Sequence, residues 1–146
     1  MTFFGMNVTG EFFDSERVSG MDALYALIPE FLSHLVSGNA REAAALWDVP
    51  ALILGDRHVH GPLSSERLES LFADTSPVTG EARRRNSLEH CVTQVEWIAR
   101  RVATIEARWP LTGFRGFLQG ISAATFLVRL DESGQPKLRG VLLQDA

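Results

Sequence analysis

The stretch Ser87–Leu111, SLEHCVTQVEWIARRVATIEARWPL, decides the fold. Read with the period of two that a β-strand imposes, it forms two long strands joined at Ala99-Arg100-Arg101. Ala103, Ile105, Ala107, Trp109 and Leu111 fall on one face of the second strand, and Thr104, Glu106 and Arg108 on the other. That alternation marks a sheet with one covered face and one wetter face. The first strand is mixed on both faces: Leu88, His90, Val92, Gln94, Glu96 and Ile98 alternate with Glu89, Cys91, Thr93, Val95 and Trp97. A mixed outer face on a central strand points to a second protein surface, here a dimer partner.

What covers the sheet lies upstream. Leu24, Leu27, Ile28, Phe31, Leu32, Leu35 and Val36 repeat at helical spacing, so a helix runs from about Met21 to Ser37. Gly38 ends it, and Pro29, which lies off the apolar face, should kink it there. Asn39 with Glu42 resembles a capping box for a short second helix through Trp47, which Pro50 stops. Ala51–Leu54 and Arg57–His60 fit two short strands around Gly55-Asp56, and Gly61-Pro62 breaks the chain. Ser64 caps a third helix that buries Leu68, Leu71 and Phe72. Residues 1–19, rich in Phe, read as an N-terminal arm packed on the body, and 74–85 as a polar loop. Downstream, Thr112–Gly120 is a loop or edge piece, and Ser122–Asp131 and Lys137–Gln144 are the last two strands.

Three helices with a small hairpin among them, then four strands in meander, make an α+β fold in a single domain. The sheet must bend over the long helix to bury its stripe. Each large side chain in that stripe contributes about 1.5–3 kcal/mol when fully buried. Small residues on the covered face, Ala103, Ala107 and Ala124, leave room for a pocket.

With 146 residues the chain can build a core without disulfides. Its 18 acidic and 14 basic residues give a net charge of −4, which offers nucleic acid no general attraction. Arg83-Arg84-Arg85, the only basic run, reads as a solvated loop. The lone Cys91 excludes an intrachain disulfide and suits a reducing, cytoplasmic setting. No leader of signal type and no run of the roughly 20 apolar residues that span a bilayer is seen, so no membrane partner is expected. Asn7-Val8-Thr9 fits a glycosylation sequon and carries no weight without a secretory context. No cofactor is called for.

At this point the order of elements resembles the nuclear transport factor 2-like superfamily, which includes SnoaL-like polyketide cyclases and ketosteroid isomerases. The matching pieces are LIPEFLSHLVSGNAREAAALW, ALILGDRHVHGPLSSERLESLFA, VTQVEWIARRVATIEARW and TFLVRLDESGQPKLRGVLL, covering roughly residues 21–144. The resemblance implies a cone-shaped scaffold of three helices on a curved, mainly antiparallel sheet. Isomerases, cyclases, dehydratases, epoxide hydrolases, binding proteins and oligomerisation domains all use that scaffold, so it does not carry a function by itself. The isomerase pattern fails at two positions. Phe31 stands where that family has an oxyanion-donating Tyr, and Phe126 falls near its protonated Asp. Phe donates no hydrogen bond, so the two-donor hole is missing. Asp56 matches the family's base within one residue, and a slip of one residue on a strand would turn it to the wrong face.

Asp56, His58, His60 and His90 are the candidates for proton transfer. His58 and His60 share a strand face and could both meet a ligand or a metal. A metal needs at least three convergent ligands, the third from His90, Asp56 or Glu89, and a surface or pocket-rim position is favoured over a metal site. His90 with Asp56 or Glu96 would make an acid–base pair, as superfamily dehydratases do with His and Asp, but a His90 that faces solvent or an interface is preferred. Cys91 is better read as a buried structural thiol than as a nucleophile. Phe31, Trp47, Trp97, Ile105, Trp109 and Phe126 either line a pocket for a flat apolar ligand or are plain core packing. Tyr25 either reaches the pocket mouth or faces solvent. Three functions fit: a lyase, isomerase or cyclase acting on a small hydrophobic carbonyl or polyketide-like compound; a non-catalytic ligand-binding protein; or an oligomerisation domain. In each, a homodimer through the outer sheet face is expected.

Overall fold

The structure, a computed structural model, describes residues 10–75, 91–109 and 114–145, with side chains over 21–144 of these. The Phe-rich residues 1–9, the Arg83-Arg84-Arg85 run, His90 and Leu111 lie outside the described residues. The elements in chain order are α1 (Gly10–Ser37), α2 (Ala40–Ala45), β1 (Trp47–Gly55), β2 (His58–Leu63), α3 (Ser65–Ala73), β3 (Val92–Ala99), β4 (Val102–Arg108), β5 (Ile121–Leu130) and β6 (Pro136–Asp145). A short 3-10 turn, Gly116–Leu118, precedes β5.

Every member of the predicted α1 stripe, Leu24 through Val36, is buried. The helix closes as its composition predicts. Gly38 takes the left-handed conformation (φ 77°), its N–H bonds the Leu35 carbonyl, and the Asn39 N–H reaches back to the His34 carbonyl. Three boundaries differ from the sequence reading. The helix starts at Gly10, so residues 10–19 are helical rather than an arm. Apolar period locates a covered stripe; it does not set where backbone hydrogen bonding begins. Asn39 makes no side-chain cap on α2, because its backbone already closes α1 and sits outside the extended cap conformation. Finally, α2 stops at Ala45, and Trp47 opens β1 instead. Ser64 does cap α3, its Oγ accepting from the Arg67 N–H at 3.3 Å.

The six strands form one open, curved, mixed sheet in the order β2-β1-β6-β5-β4-β3. The antiparallel meander β3–β6 is the predicted one. Its last strand then pairs in parallel with β1. Polar side chains tie that junction: Lys137 Nζ donates to the Ala45 carbonyl at 2.9 Å, Arg139 Nε to the Pro50 carbonyl at 2.9 Å, and Arg139 pairs with Asp48 at 3.2 Å. The first strand of the opening stretch, β3, is an edge strand, not a central one. Its mixed pattern thus belongs to a strand at one end of the sheet. Gly61-Pro62 does not break β2. On an edge strand a Pro can face its missing donor away from the ladder.

On the helix side of the sheet, side chains line up in rows that cross the strands. One row runs Trp47, Leu138, Val128, Ala103, Trp97. The middle row runs His60, Ile53, Val141, Phe126, Ile105, Val95. The third carries His58 opposite Gly55, then Leu143, Ala124, Ala107 and Val92. Phe31 from α1 presses onto the centre of these rows. Its ring lies edge-on to Phe72 at 5.1 Å, Trp47 at 5.6 Å and Phe126 at 6.2 Å. Edge-to-face contacts suit the ring quadrupoles and add to the area each ring buries. Phe31→Ala is expected to lower the unfolding free energy by about 3–5 kcal/mol. Urea denaturation followed by circular dichroism checks this. A loss below about 1 kcal/mol would mean that the ring is not packed as described.

Candidate functional site

The histidines of β2 stand on the helix side of the sheet because of register. His60 is opposite Ile53, which is fully buried, and His58 is opposite Gly55. Directly opposed residues in an antiparallel pair project to the same face. Val59 between them projects outward and is 80% exposed. The two imidazoles therefore share a face, as the sequence predicts, and they touch: His58 Nδ1 lies 3.4 Å from His60 Nε2, with ring centroids 5.5 Å apart. One ring donates and the other accepts, according to tautomer. Both are half-buried. The absence of a side chain at Gly55 gives His58 its place. A Cβ there would stand 3.1 Å from Leu143 Cβ and 3.8 Å from His58 Cδ2. The sequence reading missed Gly55 and Leu143. Gly55 read only as a turn residue, and Leu143 only as one more apolar residue of the last strand.

The other predicted site residues separate into groups. Asp56 sits at the exposed β1–β2 turn beyond the pair. Among the described residues no group of three or more His, Cys, Asp or Glu is placed to hold a metal ion. Phe31, Trp47 and Phe126 belong to the aromatic cluster, with Phe72 and, beyond it, Phe117. Phe31 and Phe126, matched above to the two missing oxyanion donors, thus face each other as hydrocarbon. Ile105 is buried in the middle row beside Phe126. Trp109 is buried and spends its Nε1–H on the Ile121 carbonyl at 2.8 Å, so it anchors the chain entering β5. Trp97 is half-buried and packs against the core from β3. Tyr25 lies off the stripe on α1 and is 47% exposed, which favours its solvent-facing reading. Trp47 differs from Trp109 in one respect. It is 5% exposed, and its Nε1–H has no hydrogen-bond partner among the described residues. An unmet buried donor costs about 1–3 kcal/mol.

The outer face of the sheet divides in two. Leu52, Leu54, Val59, Leu127 and Leu142 are exposed or half-exposed, and the pairings Leu54–Val59, Leu54–Leu142 and Leu52–Gly140–Leu127 make them neighbours. Toward the other edge, Glu96, Glu106, Arg108 and Arg129 are exposed. The predicted outward row Thr104–Arg108 belongs to this charged part.

Comparison with known proteins places the fold. No family model matches the chain. No curated protein matches it by sequence. Solved structures do match over nearly all of its length. An NTF2-like protein with a cystatin-like fold from Novosphingobium aromaticivorans has a TM-score of 0.63 at 13% identity, over 97% of this chain and 92% of that one. A protein of unknown function from Mycobacterium tuberculosis has a TM-score of 0.62 at 12% identity, over 96% and 78%. A proposed scytalone dehydratase from N. aromaticivorans has a TM-score of 0.56 at 10% identity, over 91% and 88%. The chain has the NTF2-like fold, as the resemblance implied.

Cys91 begins the strand region as a buried residue, 2% exposed. Burial pushes its thiol up to about 12, partly offset by a backbone hydrogen bond. A thiol held protonated by burial in this way is a poor nucleophile near neutral pH. Folded protein should fail to react with an aromatic disulfide reagent at pH 8 over minutes, and should release one equivalent of chromophore on addition of denaturant. Full reaction in the folded state would show that Cys91 is accessible.

Proposed function

We propose that this is a small-molecule pocket protein that moves protons on a small hydrophobic carbonyl or polyketide-like compound, as a lyase, isomerase or cyclase. The contact between His58 and His60 on the helix side of the sheet carries this reading. Imidazole is the side chain best able to give and take a proton near neutral pH. Two rings in hydrogen-bond contact can hold one proton between them and offer it to a bound carbonyl compound. The unmet Trp47 Nε1–H is a donor of the kind a ligand carbonyl would satisfy. The similarity to a proposed scytalone dehydratase agrees with carbonyl chemistry on this scaffold, in a cone-shaped form closed by the helices. His90 and the exposed Asp56 have subordinate places in this reading. A small panel of hydrophobic enones and 1,3-diketones, incubated with the protein in D₂O, should include one whose α-hydrogens exchange faster than in buffer. The His58→Gln/His60→Gln variant should lose about 10²–10⁴-fold of that rate. Equal rates for wild type and variant on every accelerated compound would remove the pair from the chemistry.

A second reading, a non-catalytic binding or dimerisation domain, is favoured by the apolar part of the outer face. We propose that a second copy of the chain packs there, over Leu52, Leu127 and Leu142. An exposed cluster of this kind on one end of a sheet marks an interaction surface. This places the dimer contact on β1, β6 and β5 rather than on the charged β4 row. Sedimentation velocity should show a dimer that Leu142→Asp converts to monomer without changing the far-ultraviolet spectrum. A concentration-independent wild-type monomer would contradict the dimer. Retention of the cytoplasmic setting expected from the lone thiol fits either reading, and no described helix is long and apolar enough to cross a membrane.

A further inference from the structure

We propose that the His58–His60 contact is an acid-opened latch on the β1–β2 hairpin. The rings hold together while the pair carries at most one added proton, and they part when both are imidazolium. This rests on the contact itself and not on the proposed carbonyl chemistry. His58 Nδ1 and His60 Nε2 stand 3.4 Å apart, joined by one hydrogen bond. That bond needs a hydrogen on one contact nitrogen and a lone pair on the other. In the neutral pair the far nitrogen of the donor ring still has a lone pair, which takes the first added proton. The contact then survives and becomes charge-assisted. The accepting ring has no lone pair except the one in the contact. A second proton can go only there. It leaves two N–H groups and two positive charges facing each other with no acceptor between them.

The surroundings do not offset that repulsion. On the helix side the pair adjoins Ile53, Gly55 and Leu143, none of them ionisable. β1 and α3 are the elements packed against β2. Asp48 of β1 is engaged by Arg139. Asp56 and Arg57 at the turn, and Glu66, Arg67 and Glu69 on α3, are exposed. Among the described residues none of these pairs with either ring, so no carboxylate neutralises the second charge. β2 is the end strand and pairs with β1 alone among the described strands, so the response stays within this hairpin.

Nuclear magnetic resonance of the full chain, labelled with nitrogen-15 at histidine, tests this. The pH is lowered from about 8 through the range in which imidazole takes its proton, until both rings show the nitrogen shifts of imidazolium. Ring-to-ring cross-peaks between His58 and His60 should be present at the start and lost at the end. Amide shift changes should centre on β1 and β2, while the Phe31–Phe126 cross-peaks persist. His60→Gln supplies a side-chain carbonyl to which a protonated His58 can still donate, so it should abolish the acid response of the β2 amides. His34→Gln, on α1 beside Glu30, should leave that response unchanged. The spectra of the unmutated protein decide the matter without the variants. Ring-to-ring cross-peaks retained with both rings imidazolium would overturn the latch. So would loss of the Phe31–Phe126 cross-peaks at the same pH, which would mean general unfolding. If no carbonyl compound exchanges faster than in buffer and the contact still opens in acid, the proton-transfer reading fails and the latch stands.

Discussion

Phe31 reaches from the middle of α1 onto Phe126 in the middle of β5, and its ring also meets Trp47 of β1 and Phe72 of α3. Four elements from distant parts of the chain thus converge on one side chain. Phe72 of α3 in turn meets Trp47 at 5.7 Å and Phe117 at 5.8 Å, so the two rings together seat α1 and α3 on the sheet. The rows to either side depend on the same seating. One ends in Trp47 and Trp97, large side chains that grip the flank of the core. The other carries Gly55, Leu143, Ala124, Ala107 and Val92 beside the histidines.

That arrangement explains why hydrocarbon fills the centre while polar chemistry moves to the edge. Phe31 and Phe126 leave no donor where steroid isomerases carry two. The half-buried polar pair sits instead on β2, at one end of the sheet. There it can be partly desolvated without being stranded in the core. The outer face follows the opposite logic, apolar near β1, β6 and β5 and charged near β4 and β3.

Much of the fold was legible because period reports burial. The α1 stripe and the Ala103–Trp109 row were each read correctly from spacing alone. What spacing could not report was order across the sheet. The parallel pairing of β6 with β1, and the edge position of β3, depend on contacts between segments some ninety residues apart, such as Arg139 with Asp48. The shared face of His58 and His60 was visible in the HxH spacing. That this face is the helix side was not, since it follows from His60 standing opposite Ile53. Helix ends were legible where a specific residue closes them, as at Gly38 and Ser64. They were not legible where a helix continues past its covered stripe, as α1 does toward Gly10.

The central claim is the register that turns the histidine pair inward. Nuclear Overhauser spectroscopy on methyl-labelled protein tests it most directly. The His60 ring should show cross-peaks to the Ile53 methyls, and the Val59 methyls should show them to Leu54 on the outer face. Cross-peaks from Val59 to Ile53, with the histidine rings meeting Leu54, would mean that β2 is shifted by one residue and that the pair faces outward.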